Sequence, residues 1–129
     1  MLEAILRVAG QKLLHTQSAI DYREKSESDF VTEVDLSVHA ELGTRLSALV
    51  PGSRVISEED AAPQVYSEGA VWIIDPVDGT SNLVYGLRHS CISVALVENG
   101  RPLLGAVYNP YLDEYFSAEA GKGAFLHGH

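Results

Sequence analysis

The chain has 129 residues, 46% of them hydrophobic and 21% charged, enough for one globular domain with its own core. Nine basic against eighteen acidic residues leave a formal charge of -9, a balance that repels nucleic acid and anionic membrane and leaves surplus carboxylates for cations. A single cysteine excludes an internal disulfide, the first seven residues lack the basic flank and apolar core of a signal peptide, and no apolar run approaches the ~20 residues that span a bilayer, so a reduced cytoplasmic compartment is expected.

Leu2, Ile5, Leu6, Ala9 and Leu13 recur at three- and four-residue spacing and predict an amphipathic helix to about Gln17. Residues 22–29 alternate charge without an apolar period and read as a solvated, mobile loop. Val38, Leu42, Leu46 and Leu49 predict a second helix, opened by Thr32-Glu33-Val34-Asp35 and stopped by Pro51-Gly52; the Thr-x-x-Asp spacing is that of a capping box. The period then shortens. Residues 54–57 form a short strand, 61–69 a polar connector, and 71–74 a strand buried on both faces. Residues 90–97 and 103–108 flank Asn99-Gly100, a strong hairpin signal, and two more strands follow at 114–118 and 124–126. Helices followed by hairpin-linked strands describe an α+β fold, two N-terminal helices packed on a largely antiparallel sheet. Its last strand runs into His127-Gly128-His129 and leaves a sheet edge with no following partner.

The run Asp75-Pro76-Val77-Asp78-Gly79-Thr80-Ser81-Asn82 carries the chemistry. At roughly 5% usage per residue type, its Asp, Pro, Asp, Gly, Thr and Asn would coincide on the order of once in 10^8 windows. Asp75 closes an apolar run, Pro76 fixes φ, and Asp78 follows three residues later, so the two carboxylates can converge on one point. Two anions that close call for a cation, and a set of hard oxygens suits Mg²⁺ rather than zinc. Gly79 permits a tight turn, and the N–H groups of Gly79, Thr80 and Ser81 stand where an anion is favoured.

At these residues the chain resembles the inositol monophosphatase family, whose first signature reads Asp-Pro-(Ile/Val)-Asp-Gly-Thr-x-Asn after an aromatic-aliphatic strand. Two further stretches share the resemblance: Asp29-Phe30-Val31-Thr32-Glu33-Val34-Asp35 is similar to the family's Asp-x-Val-Thr-x-x-Asp, and Ser57-Glu58-Glu59 to its Gly-Glu-Glu. The later hairpins through Gly121-Lys122-Gly123 also fit. The resemblance covers nearly all 129 residues but only the amino-terminal part of the family's layered sugar-phosphatase fold, so residues 1–129 are expected to form an incomplete domain of that kind.

The resemblance implies that Glu58, Asp75 and the Val77 carbonyl hold one Mg²⁺, and that Asp75 and Asp78 contribute to a second. The second ion expects an aspartate from a downstream Trp-Asp-x-Ala segment, and the sequence contains none. Asp35 and Thr80 would form a pair that orients a water for in-line attack, and Glu58, Val77, Asp78, Gly79, Thr80 and Ser81 would face the substrate.

Other residues take plainer readings. Lys25 stands one residue off the family's loop lysine and reads as solvated. Cys91, with His89 two residues away on the same strand face, reads as a buried thiol with nothing nearby to lower its pKa. His127 and His129 read as a disordered terminus rather than a metal pair.

The expectation is a Mg²⁺-dependent phosphomonoesterase, and Ser81-Asn82-Leu83 fits the family's inositol branch, with myo-inositol 1-phosphate as substrate. Fructose-1,6-bisphosphate and 3′-phosphonucleotides are the alternative substrates. The competing expectation is a remnant that binds Mg²⁺ or self-associates without turnover. The family resemblance also implies a homodimer.

Overall fold

The computed structural model describes residues 1–16, 22–26, 29–57 and 68–129, with the backbone alone for 22–26 and 29–31. The elements run α1 (Leu2–Leu14), β1 (Tyr22–Ser26), β2 (Asp29–Thr32), α2 (Glu33–Leu49), β3 (Arg54–Ser57), β4 (Ala70–Asp78), α3 (Thr80–Val84), β5 (Cys91–Glu98), β6 (Arg101–Asn109), β7 (Glu114–Glu119) and β8 (Gly123–Leu126). Strands β3 to β8 form one sheet in chain order, β3 parallel to β4 and every other pair antiparallel.

Helices α1 and α2 cover one face of that sheet. Ile5, Leu6, Ala9 and Leu13 of α1 and Val38, Leu42 and Leu46 of α2 are buried at helical spacing against Trp72, Ile74, Ile92, Val94, Leu96, Ala106 and Tyr108. Each fully buried leucine there contributes roughly 2 kcal/mol. At Gly10 a Cβ would lie 2.6 Å from the Tyr108 ring, so α1 sits on β6 at a distance only glycine permits. Arg7 fixes the same contact: its guanidinium lies over the Tyr108 ring and hydrogen-bonds Asp113, whose carboxyl it holds below the usual carboxylate range.

The capping box forms. Thr32 Oγ1 accepts from the Asp35 N–H at 3.2 Å while the Thr32 N–H donates to Asp35 Oδ2 at 3.0 Å. The β5–β6 turn is also as the sequence predicts, with Asn99 at φ 50 and Gly100 at φ 77, the paired positive angles of a two-residue hairpin.

Four expectations are corrected. The loop expected at 22–29 is strand over its described residues 22–26 and 29: β1 pairs antiparallel with β2, Tyr22 opposite Thr32. Strand pairing is made by backbone groups, so a charged segment without apolar period can still join a ribbon. The strand predicted at 71–74 runs from Ala70 to Asp78, and it is not buried on both faces, because Ile73 is 45% exposed. His89 precedes β5 rather than lying on it. The carboxyl end is ordered in a turn, the His127 N–H donating to the Tyr115 carbonyl at 2.9 Å and the His129 N–H to that of Leu126 at 3.0 Å. Among the described residues β8 is the last strand of the sheet, and every residue of it is exposed.

Candidate active site

The motif is part of β4, and a bulge arranges it. Asp75 pairs with Ser93 and Asp78 with Cys91, so three steps along β4 match two along β5. In a regular strand, residues three apart face opposite sides. The extra residue restores the phase, and both aspartates share the sheet face of Ser93 and Cys91, away from the helices. Pro76, which has no N–H to give a ladder, falls within that bulge.

Beyond Asp78 the chain turns at Gly79, in the left-handed region at φ 95 and ψ 41, into the single turn of α3. A Cβ at Gly79 would stand 2.9 Å from the His89 carbonyl oxygen, so both the angle and the space require glycine. Thr80 opens α3 and Ser81 follows it.

Thr80 Oγ1 donates to Asp35 Oδ1 at 2.8 Å and lies 3.0 Å from the Val77 carbonyl oxygen. Asp35 is fully buried. Its other oxygen, Oδ2, takes the Thr32 N–H and the Thr32 hydroxyl, so capping and the contact with Thr80 use different oxygens of one carboxylate. Three donors on an acceptor-only group compensate its removal from water. The hydroxyl of Thr80 has one proton; with that proton donated in the hydrogen bond to Asp35, its lone pairs remain to accept.

Asp78 borders a cleft of about 360 Å³ on the open face, with Gly79, Asn82, His89, Ser90 and Asn109 around it. A larger hollow of about 510 Å³ lies between β5, β6, β7 and β8, but its walls are apolar and none of the motif reaches it. The smaller cleft is the one with chemistry.

A family model for the inositol monophosphatase family matches residues 2–129. The chain belongs to the inositol monophosphatase family. It is 38% identical over 127 residues to a fructose-1,6-bisphosphatase/inositol-1-monophosphatase of Thermotoga maritima, a match over 96% of this chain and 48% of that protein. A solved IMPase structure from Thermotoga maritima superposes with a TM-score of 0.88 at 36% identity, covering 99% of this chain and 50% of that one. An IMPase/NADP phosphatase structure complexed with Mg²⁺ and phosphate superposes with a TM-score of 0.82 at 29% identity, covering 99% of this chain and 48% of that one. The chain thus spans about half the length of the relatives it matches.

For a member of the inositol monophosphatase family the question at this site is a divalent cation. Among the described residues no three His, Cys, Asp or Glu side chains gather as a metal-holding group. Glu58, the further carboxylate that the resemblance implies, lies outside the described residues, as does the side chain of Lys25. The donors that are described suit a hard ion. Cys91 Sγ is 3.9 Å from Asp78 Oδ2, and burial first, then the charges of Asp78 and Asp75, push its thiol up to about 11. The carboxylates of Asp75 and Asp78 and the Val77 carbonyl are hard oxygen donors, the kind magnesium prefers.

Two residues of this site carried no assigned role in the sequence reading. Asn82 Nδ2 donates to the His89 carbonyl at 2.7 Å, and Ser90 Oγ donates to the Gly79 carbonyl at 2.8 Å. Asn82 belongs to the motif, which was the signal. Ser90 had none, since its partner is a backbone carbonyl eleven residues away.

Proposed function

We propose that residues 1–129 form the metal-binding part of an inositol-monophosphatase-like domain, and that it hydrolyses phosphomonoesters of polyols, myo-inositol 1-phosphate first, with Mg²⁺. The observation that supports this best is the Asp35–Thr80 hydrogen bond beside the Val77 carbonyl, with Asp75 and Asp78 on one sheet face.

In this reading Glu58, Asp75 and the Val77 carbonyl hold one Mg²⁺, and Asp75 with Asp78 contribute to a second. Bound there, magnesium would supply Lewis-acid stabilisation of charge on the phosphoryl oxygens and a lowered pKa for water. Asp35 accepts the hydrogen bond of the Thr80 hydroxyl and so orients it that its lone pairs can accept a hydrogen bond from the attacking water. The N–H groups of Gly79, Thr80 and Ser81 donate to the phosphoryl group, while Glu58, Val77 and Asp78 face the substrate. The expected setting is a cytoplasmic homodimer; among the described residues no helix is long and apolar enough to cross a membrane.

A second reading is that the chain binds Mg²⁺ or self-associates without turnover. One assay separates the two: phosphate release from inositol 1-phosphate, fructose-1,6-bisphosphate and a 3′-phosphonucleotide with Mg²⁺. Release from the first that Asp75→Asn abolishes supports the phosphatase; equal release by that variant overturns it. Magnesium binding with no release on any substrate favours the second reading.

A further inference from the structure

We propose that Ser90, which lies outside the motif just before β5, is a positioning residue that aims the Gly79–Thr80 peptide group at the phosphoryl site. The proposal rests on the phosphatase reading above.

The Ser90 side chain is buried, and its hydroxyl gives its one proton to the Gly79 carbonyl at 2.8 Å. The same carbonyl accepts the Leu83 N–H at 3.1 Å. Both lone pairs are therefore filled: one bond closes the first turn of α3, the other ties that turn to the start of β5. Gly79 packs so closely there that a Cβ would meet the His89 carbonyl at 2.9 Å and Ser90 Oγ at 3.3 Å. Asn82 adds a second tie from α3 to the same segment, at the His89 carbonyl.

The consequence follows from peptide planarity. The Gly79 carbonyl and the Thr80 N–H belong to one rigid trans peptide group and point in opposite directions. Holding the oxygen therefore fixes the direction of the N–H. Gly79 is the residue with the freest backbone in the motif, and without an external hold its peptide groups can swing. A swing would move the Thr80 N–H off the phosphoryl group and pull Thr80 Oγ1 from its 2.8 Å bond to Asp35. Asp75 and Asp78 are anchored differently, by the ladder to β5, so the loss of the Ser90 hydroxyl leaves them in place.

Steady-state kinetics of Ser90→Ala and Ser90→Thr at saturating Mg²⁺, with amide hydrogen exchange on the same proteins, test the proposal. We expect kcat for inositol 1-phosphate to fall roughly tenfold in Ser90→Ala, with KM and the Mg²⁺ dependence within about twofold of the parent, and Ser90→Thr to restore most of the rate. Amides 80–84 should exchange faster in Ser90→Ala, while those of β5 and β6 do not. An unchanged kcat, or an equal fall in Ser90→Thr, overturns the proposal. If the parent releases no phosphate beyond Asp75→Asn, the phosphatase reading fails on its own, and exchange decides for Ser90: unaltered rates at 80–84 overturn it.

Discussion

On the helix side of β4, Trp72, Ile74 and Val77 are sealed beneath α1 and α2, and Asp35, a buried acid at that end, has donors on both of its oxygens. On the other side Ile73 and Asp78 are exposed, Asp75 is half-buried, and the aspartates act on Cys91 through a negative field. The two sides differ in where their charge is balanced. Asp35 is compensated inside the protein and so belongs to the fold. Asp75 and Asp78 put two carboxylates on one open face, where a cation can reach them. Side by side, they form a sealed scaffold and an open acidic surface.

The sharpest break between them is expected at Asp78. Asp78→Asn should reduce the calorimetric heat of Mg²⁺ binding to that of the first ion, which keeps Glu58, Asp75 and the Val77 carbonyl, and lower phosphate release on the order of 10^3-fold, yet leave the urea midpoint without metal unchanged or higher. Asp35→Asn should do the reverse to the fold. An amide offers one acceptor where the carboxylate had two, so at least one of the Thr32 and Thr80 donors loses its partner in a fully buried place. A loss of about 3 kcal/mol in urea unfolding is expected. Equal midpoints for the two variants would erase the distinction drawn here.

How much of this was readable in advance depends on the kind of force involved. The helices, the capping box at Thr32 and the Asn99-Gly100 turn were legible because each rests on local spacing or local backbone angle. The β1–β2 ribbon was not, since backbone pairing leaves no mark in side-chain period. The chemistry of the motif was legible from residue type, but its geometry only in part: Pro76 inside a strand is compatible with an edge or a bulge, and the bulge itself exists only relative to the partner strand. Ser90 escaped notice for the same reason, as its hydroxyl acts on a backbone carbonyl that any residue could have supplied.

A smaller effect should mark the hinge between the two sides. Gly79→Ala places a Cβ at φ 95 and 2.9 Å from a carbonyl oxygen, so both strain and a backbone shift follow. Destabilisation of roughly 2 kcal/mol is expected, with amides 80–84 exchanging faster than the rest. If the loss instead spreads evenly through β5 and β6, the turn is not a separate joint but part of the sheet's own cooperative unit.

The smallest effect is one of pH, and it reports the open side alone. The Cys91 thiol is raised from 9.0 to about 11, by burial, then by the charges of Asp78 and Asp75. A raised pKa means that the folded protein holds the proton more firmly than the unfolded chain. The contribution is whole below pH 9 and is lost as pH rises towards 11, so stability should decline across that window. Thiolate absorbance gives the titration directly, with a midpoint near 11 in the parent. Asp78→Asn should lower that midpoint by removing a nearby charge and a hydrogen-bond partner, and saturating Mg²⁺ should lower it too, because a cation cancels the field that keeps the thiol protonated. Asp35→Asn, on the sealed side, should leave the midpoint unchanged in the fraction that stays folded. A midpoint that responds to burial alone, indifferent to Asp78 and to magnesium, would mean that the aspartates do not converge on a common point, and the contrast between the two sides of β4 would reduce to one of exposure.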